Sequence, residues 1–231
     1  MQPQDSFYKM LLQQPLFQGL GLNDLTEIVS KVKMHFQKFS DGSVIRLETD
    51  PCHNLLFLLK GNLRVSHAST NNRVVFIEQL KTPAVVGAEN IFGVSQYHNR
   101  TYMAETDIQT LTISKEFVSQ IMLNYDVFRF NMLNMLSTRL QRADKALWET
   151  PSASLTRRFL QVCQHNFTLP SGSKEIIGKM VDIAVYIDAT RLNLSRVVNS
   201  LEKNGLLKLE RKRVIIPKLE NLVHFVQEHD N

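Results

Sequence analysis

The sequence predicts an α+β fold: an N-terminal antiparallel β-roll (jelly roll) with flanking helices, one long helix, and a C-terminal winged helix-turn-helix. Three observations predict it. Residues 34–113 break into short β-rich segments divided by turn signals. The stretch from Ser114 to Glu149 contains neither Gly nor Pro. The final part of the chain reads helix, turn, helix, then two short strands around a basic turn.

Residues 6–33 are expected to be helical. In LGLNDLTEIVSKV, Asn23 is the candidate N-cap, and Leu25, Ile28, Val29 and Val32 share a face. Turn signals follow at Asp41-Gly42, Asp50-Pro51, Lys60-Gly61-Asn62 and Asn71-Asn72. In RVVFIEQL, Val74 and Phe76 alternate with Val75 and Ile77. Several such strands at short spacing form a sandwich or a small barrel. From Ser114, a candidate cap, a single helix is expected to run to Glu149. Leu133, Leu136, Leu140, Ala143 and Leu147 step along it by three, four, three and four, an a/d seam suited to a homodimer. Thr150-Pro151 ends it, because the residue before a proline is pushed out of the helical region. The expected domains are therefore 1–114 (β-roll), 115–150 (long dimerisation helix and hinge) and 151–231 (winged helix-turn-helix).

Past the hinge, Ser152 or Ser154 caps a helix that turns Leu155, Phe159, Val162 and Cys163 inward. A loop, PSGSK, and a short apolar stretch, EIIGKM, lead into MVDIAVYI, a helix of about two turns. The stretch DATRLNLSRVVNSLEKNGLL places Leu194, Val197, Val198 and Leu201 on one helical face. Arg191, Asn193, Arg196 and Asn199 lie mostly off that face. Arg suits guanine and Asn suits adenine in the major groove, so a helix over about 190–204 is the candidate reader of double-stranded DNA. LLKLERKRVIIPKL then forms two strands, whose turn offers Arg211, Lys212 and Arg213 to phosphates.

Charge agrees with that placement. The net charge of the chain is +5. Residues 1–150 carry fifteen Lys/Arg against fourteen Asp/Glu, while residues 191–218 carry eight against two. Basic charge concentrated in one short region is an electrostatic footprint for nucleic acid. Hydrophobic content is 43% and no apolar run approaches a membrane span, so no membrane association is expected. MQPQDSFYKM lacks the regions of a signal peptide, so a cytoplasmic location is expected. Cys52 and Cys163 stand far apart, without a CxxC partner. They are expected to be free thiols, and the cysteine count excludes a four-cysteine iron–sulfur cluster. HxH and the phosphate loop GxxxxGK are absent, and Gly93-Val94-Ser95 runs into Gln96-Tyr97 rather than a nucleophile elbow. No catalytic residue, no metal site and no enzyme are expected.

Across nearly its whole length the sequence resembles the Crp/Fnr family of bacterial transcription regulators. PLFQGLGLNDLTEI resembles the entry helix of that family. KFSDGSVIRLETDPCHNLLFLLKGNLRV resembles its cyclic-nucleotide-binding-like β-roll, and ISKEFVSQIMLNY leads into a helix of its dimerisation type, with STRLQ near the end. DIAVYIDATRLNLSRVVNSLEKNGLL resembles its DNA-binding element. The resemblance implies a homodimer, an inverted-repeat operator, a sensing β-roll and RNA polymerase as a partner. It assigns base reading to Arg191 and Arg196, and a phosphate contact to Thr190. Where the family often has Glu after the first Arg, this chain has Leu192, followed by Asn193. Leu192 either meets a thymine methyl or faces the scaffold.

The effector region departs from the family pattern. In VVGAENIFGVSQYHNRTY, Gly87 and Phe92 keep the family spacing, Glu89 is displaced by one position, and Arg100-Thr101 come about two residues late. Arg partners a cyclic phosphate and Glu a ribose hydroxyl, so Gly87, Glu89, Arg100 and Thr101 are the candidate effector residues. The adenine-contacting pair of the cyclic-AMP-binding members falls on Ala143 and Asp144, and neither is a hydroxyl residue. The effector is therefore left open. A cyclic nucleotide and a haem (on His35, His53, His67, His98 or a Met) are both disfavoured against an unknown ligand or none.

Overall fold

The computed structural model describes residues 3–229. They pack as two units: residues 3–64 with Leu80–Leu140, and Val65–Gln79 with residues 141–229.

The first unit opens on α1 (Pro3–Leu12) and α2 (Leu22–Lys31). These are two helices rather than one continuous run. Pro15 and the positive φ of Gly19 (85°) lie in the turns between them. The N-cap of α2 is Gly21, so Asn23 sits inside the first turn and does not cap it. Leu25 and Ile28 of α2 are buried.

The strands are β1 (His35–Phe39), β2 (Val44–Arg46), β3 (Asn54–Lys60), β4 (Asn62–Ala68), β5 (Val75–Lys81), β6 (Ala84–Val86), β7 (Thr101–Ala104) and β8 (Ile108–Ser114). One antiparallel sheet has the order β1-β8-β3-β6, and β2 pairs antiparallel with β7. The turn between β3 and β4 depends on Gly61. Its φ is 86°, and a Cβ there would lie 2.6 Å from the Asp107 carbonyl oxygen. The roll closes over a core that includes Leu55, Phe57, Leu111 and Ile113, with Phe17 set edge-on to both Phe57 and Phe128.

The Gly- and Pro-free stretch is not one helix. It divides into α3 (Lys115–Gln120), a 3-10 turn at Met122–Asn124, and α4 (Asp126–Trp148). Side chains compete here for backbone partners. Asn124 Nδ2 donates to the Gln120 carbonyl (2.8 Å) and Arg129 Nη1 to that of Leu123 (2.9 Å). Ser114 does precede α3 in extended backbone, but its hydroxyl makes no capping bond to the helix backbone.

The second unit holds α5 (Leu155–Asn166), β9 (Lys174–Ile177), α6 (Met180–Tyr186), α7 (Arg191–Lys203), β10 (Lys208–Glu210), β11 (Arg213–Ile216) and α8 (Leu219–His229). Of the two candidate caps for α5, Ser154 takes the position, and its hydroxyl accepts from Arg157 N. β9 was not foreseen as a strand. It pairs with β11 on one side and, on the other, with β5 of the roll, in the register Val75↔Ile177 to Glu78↔Lys174. The distal half of the β4–β5 hairpin thus completes the sheet of the second unit. Val74 and Phe76 are buried in its core with Phe159, Ile176, Leu194 and Val214.

One ion pair fastens this seam. Lys174 Nζ lies 2.8 Å from Glu78 Oε2, with side chains 0% and 2% exposed. The same carboxylate accepts from Thr168 N (2.9 Å) and Leu169 N (3.0 Å). Burial by itself raises the Glu78 pKa, but Lys174 and the two amides outweigh it, so the carboxyl lies below its ordinary value.

Among the described residues, no helix is long and apolar enough to cross a membrane, and no three His, Cys, Asp or Glu side chains group to hold a metal ion. Cys52 and Cys163 are free and buried. Burial pushes their thiols up to about 11 and about 12, away from the thiolate that reacts.

Candidate nucleic-acid interface

α7 is positioned before it is exposed. Asp188 takes a left-handed backbone (φ 52°) and turns the chain out of α6. Arg158 of α5 holds that turn by donating to the Asp188 carbonyl at 2.6 Å. Thr190 is the N-cap, and its Oγ1 accepts from Asn193 N at 3.2 Å. Leu194, Val198 and Leu201 are buried, while Val197 is half-buried. At the far end, Glu202 Oε1 accepts from Leu209 N at 2.6 Å and ties α7 to the β10–β11 wing.

That anchoring fixes what faces outward. Thr190, Arg191, Leu192, Asn193, Arg196 and Asn199 are all exposed, Leu192 at 61%. The scaffold alternative for Leu192 does not fit that exposure. In the wing turn, Arg211 and Lys212 are exposed, with Lys212 in a left-handed conformation (φ 59°). Arg213 behaves differently. Its guanidinium donates twice to Glu175 Oε2 of β9, from Nε at 3.0 Å and Nη2 at 2.5 Å, and its Nη1 lies 3.7 Å from Glu210. The hydrogen bond to Glu175 raises its already high pKa. Sequence reasoning missed Arg158, Glu175 and Glu202. Arg158 and Glu175 act through residues 30 and 38 positions away, and Glu202 acts across the turn into the wing, so no local motif marks them.

The candidate effector residues are also placed. Gly87 follows β6 with φ 91°, and Thr101 begins β7. Glu89 forms an ion pair with Arg139 of α4, a partner that lies 50 residues away and was not anticipated. Arg100 is half-buried. His98 is buried beside Gly87 and edge-on to Tyr102, and burial lowers its pKa.

On α4, Leu133, Leu140 and Leu147 are 51%, 70% and 81% exposed and recur every seven residues. Ala143 is exposed on the same seam, while Leu136 is half-buried against the core of the first unit. Phe130 and Trp148 are exposed on the same helix.

Comparisons with known proteins bear on both units. The model of the cyclic nucleotide-binding domain family matches residues 36–125. The global nitrogen regulator of Synechococcus elongatus is 22% identical over 194 residues, covering 80% of this chain and 87% of that protein. The CRP-like cAMP-activated global transcriptional regulator of Mycobacterium tuberculosis is 20% identical over 226 residues, covering 93% and 97%. Among solved structures, the catabolite activator protein of Thermus thermophilus aligns with a TM-score of 0.51 at 18% identity, covering 93% of this chain and 99% of that one, and shares the fold.

Proposed function

We propose that the chain is a transcription regulator of the Crp/Fnr type, as its similarity to such regulators supports, and that it acts as a homodimer reading an inverted-repeat DNA operator through α7. The observation that carries this reading is the exposed face of α7. Two arginines and two asparagines stand on a helix whose opposite face is locked into a core. Arg191 and Arg196 read guanine edges, Asn193 and Asn199 adenine edges, and Leu192 a thymine methyl. Thr190, Arg211 and Lys212 meet phosphates. Arg213 contributes by bracing the wing on Glu175, more than by a phosphate contact of its own. The α4 leucines form the dimer seam, because a stripe of exposed leucines every seven residues is an unfilled coiled-coil interface. RNA polymerase is the further partner this reading entails.

The effector in this reading is a small molecule other than cyclic AMP, or none. Glu89 is engaged by Arg139, and Ala143 and Asp144 offer no hydroxyls. The test is selection of random duplex DNA on the full-length protein at moderate salt, with and without cyclic AMP. A two-fold symmetric site enriched without nucleotide supports the reading. Enrichment only with cyclic AMP would replace it with a cyclic-nucleotide-responsive regulator, the reading favoured by the family match over residues 36–125. On the selected site, Arg191→Ala or Arg196→Ala should cost about 1–3 kcal/mol and relax one base position. An Arg191→Ala protein with unchanged affinity and specificity would remove α7 from the interface.

A further inference from the structure

We propose that the tip of the β4–β5 hairpin of the roll is a second wing, which places Arg73 on the DNA backbone beside Lys179 and Lys212. The proposal rests on the DNA-reading assignment above and extends it to a segment more than a hundred residues upstream of α7.

Three turns meet at Gly178. Its amide donates to the Lys212 carbonyl of the wing turn at 2.9 Å. A Cβ at Gly178 would lie 3.0 Å from the Arg73 carbonyl oxygen of the hairpin turn, so glycine gives this close approach its room. Lys179 follows and is the N-cap residue of α6. Asn72, Arg73, Lys179 and Lys212 line one open groove around this junction. All four are exposed.

The hairpin tip is built to hold a shape. Ser69 Oγ bonds to Asn71 Oδ1 (2.8 Å) and accepts from Val74 N (3.1 Å), Arg73 N donates to Asn71 Oδ1 (3.1 Å), and Asn72 takes φ 56°. Just beyond it, Val74 and Phe76 are 1% exposed in the core of the second unit. The β5–β9 ladder and the Glu78–Lys174 pair complete the attachment. Arg73 therefore belongs to the wing sheet mechanically, although its sequence position is in the roll.

The charge identifies the partner. Three cations line the groove, and the one acid among them, Asp182, lies 3.7 Å from Arg73 Nη1. Asp182 is 17% exposed and Arg73 68%, so the carboxylate steers the guanidinium from behind and leaves most of its donors facing solvent. A cationic rim continuous with the wing turn, with donors spaced over several turns and no enclosed apolar pocket, fits the repeated phosphates of a duplex. Arg73 takes no base edge in this arrangement. It adds affinity without sequence preference.

The experiment measures affinity of the full-length protein for its selected operator and for an unrelated duplex, as a function of salt. Arg73→Gln should weaken binding to both by a similar factor, roughly tenfold at 0.1 M salt, and should reduce the slope of log affinity on log salt by about one. Arg73→Lys should keep that slope, because the charge stays. Gly178→Ala, which crowds the Arg73 carbonyl, should lower affinity for both duplexes in the same direction as Arg73→Gln, with Arg73 intact. The proposal is overturned if Arg73→Gln leaves affinity and slope unchanged while Lys212→Gln lowers both, and the DNA-reading assignment then stands without it. It is also overturned if Arg73→Lys loses as much as Arg73→Gln. If the unmodified protein selects no duplex, the assignment itself fails and the hairpin proposal with it.

Discussion

Lys174 of the second unit is an amine with no exposure at all. Its burial is tolerable because Glu78 neutralises it, and the carboxylate is in turn satisfied by two backbone amides. Lys174→Met removes the partner and leaves an uncompensated charge, which should destabilise the protein by about 3–5 kcal/mol in urea denaturation. The double change Glu78→Leu with Lys174→Met should recover most of that loss, since apolar replacement of a whole buried pair is close to neutral. The pair also sets an acid limit. The folded-state pKa of Glu78 is below its ordinary 4.5, so its contribution is complete above that value and is lost as pH falls through the folded-state pKa. In Lys174→Met, Glu78 loses the charge that lowers its pKa and keeps the burial that raises it, so the deficit of the variant in urea denaturation should shrink as pH falls. Thr190 is a smaller lever. Thr190→Ala deletes one capping bond and should cost about 1 kcal/mol.

Among the elements, α4 has the plainest unmet requirement. Leu133, Leu140 and Leu147 lie open to solvent on a helix whose earlier residues Phe128 and Met132 are buried. Leu140→Glu should convert a dimer to a monomer in sedimentation while leaving the helical circular dichroism in place, because the residue is 70% exposed in the single chain. An unchanged sedimentation coefficient would put the dimer seam elsewhere. α7 was legible in the sequence because its apolar spacing and its surplus of cations pointed to the same residues, while the Thr190 cap came from the structure. The wing strands were legible through their apolar alternation around Arg211 and Lys212. The break at 121–125 was not, since it needs no Gly or Pro and arises from Asn124 and Arg129 taking main-chain carbonyls. β9 was obscured for a different reason. A strand that begins with lysine does not announce burial, and the glutamate that explains it stands 96 residues earlier. Glu89 was read beside Arg100 because local motifs are sought locally, whereas Arg139 approaches it from another element.

At the scale of the molecule, chain order and packing order part company. The roll contributes Val65–Gln79 to the second unit, and nothing in the composition of that segment sets it apart from its neighbours. DNA affinity of the whole protein should fall steeply with salt, with a slope of about −0.9 for each phosphate neutralised, and substitution of Arg211 or Lys212 should lower it for every sequence alike. A salt-independent affinity would exclude the phosphate contacts assigned to the wing. The shared sheet has a practical consequence for dissecting the protein. A fragment cut at Pro151 carries α5 to α8 but leaves the outer edge of β9 unpaired and opens a hole where Phe76 belongs, at a cost of about 3–5 kcal/mol for the aromatic ring alone. Such a fragment should aggregate or remain partly unfolded. A synthetic peptide spanning 65–79, added in trans, should rescue it by strand complementation.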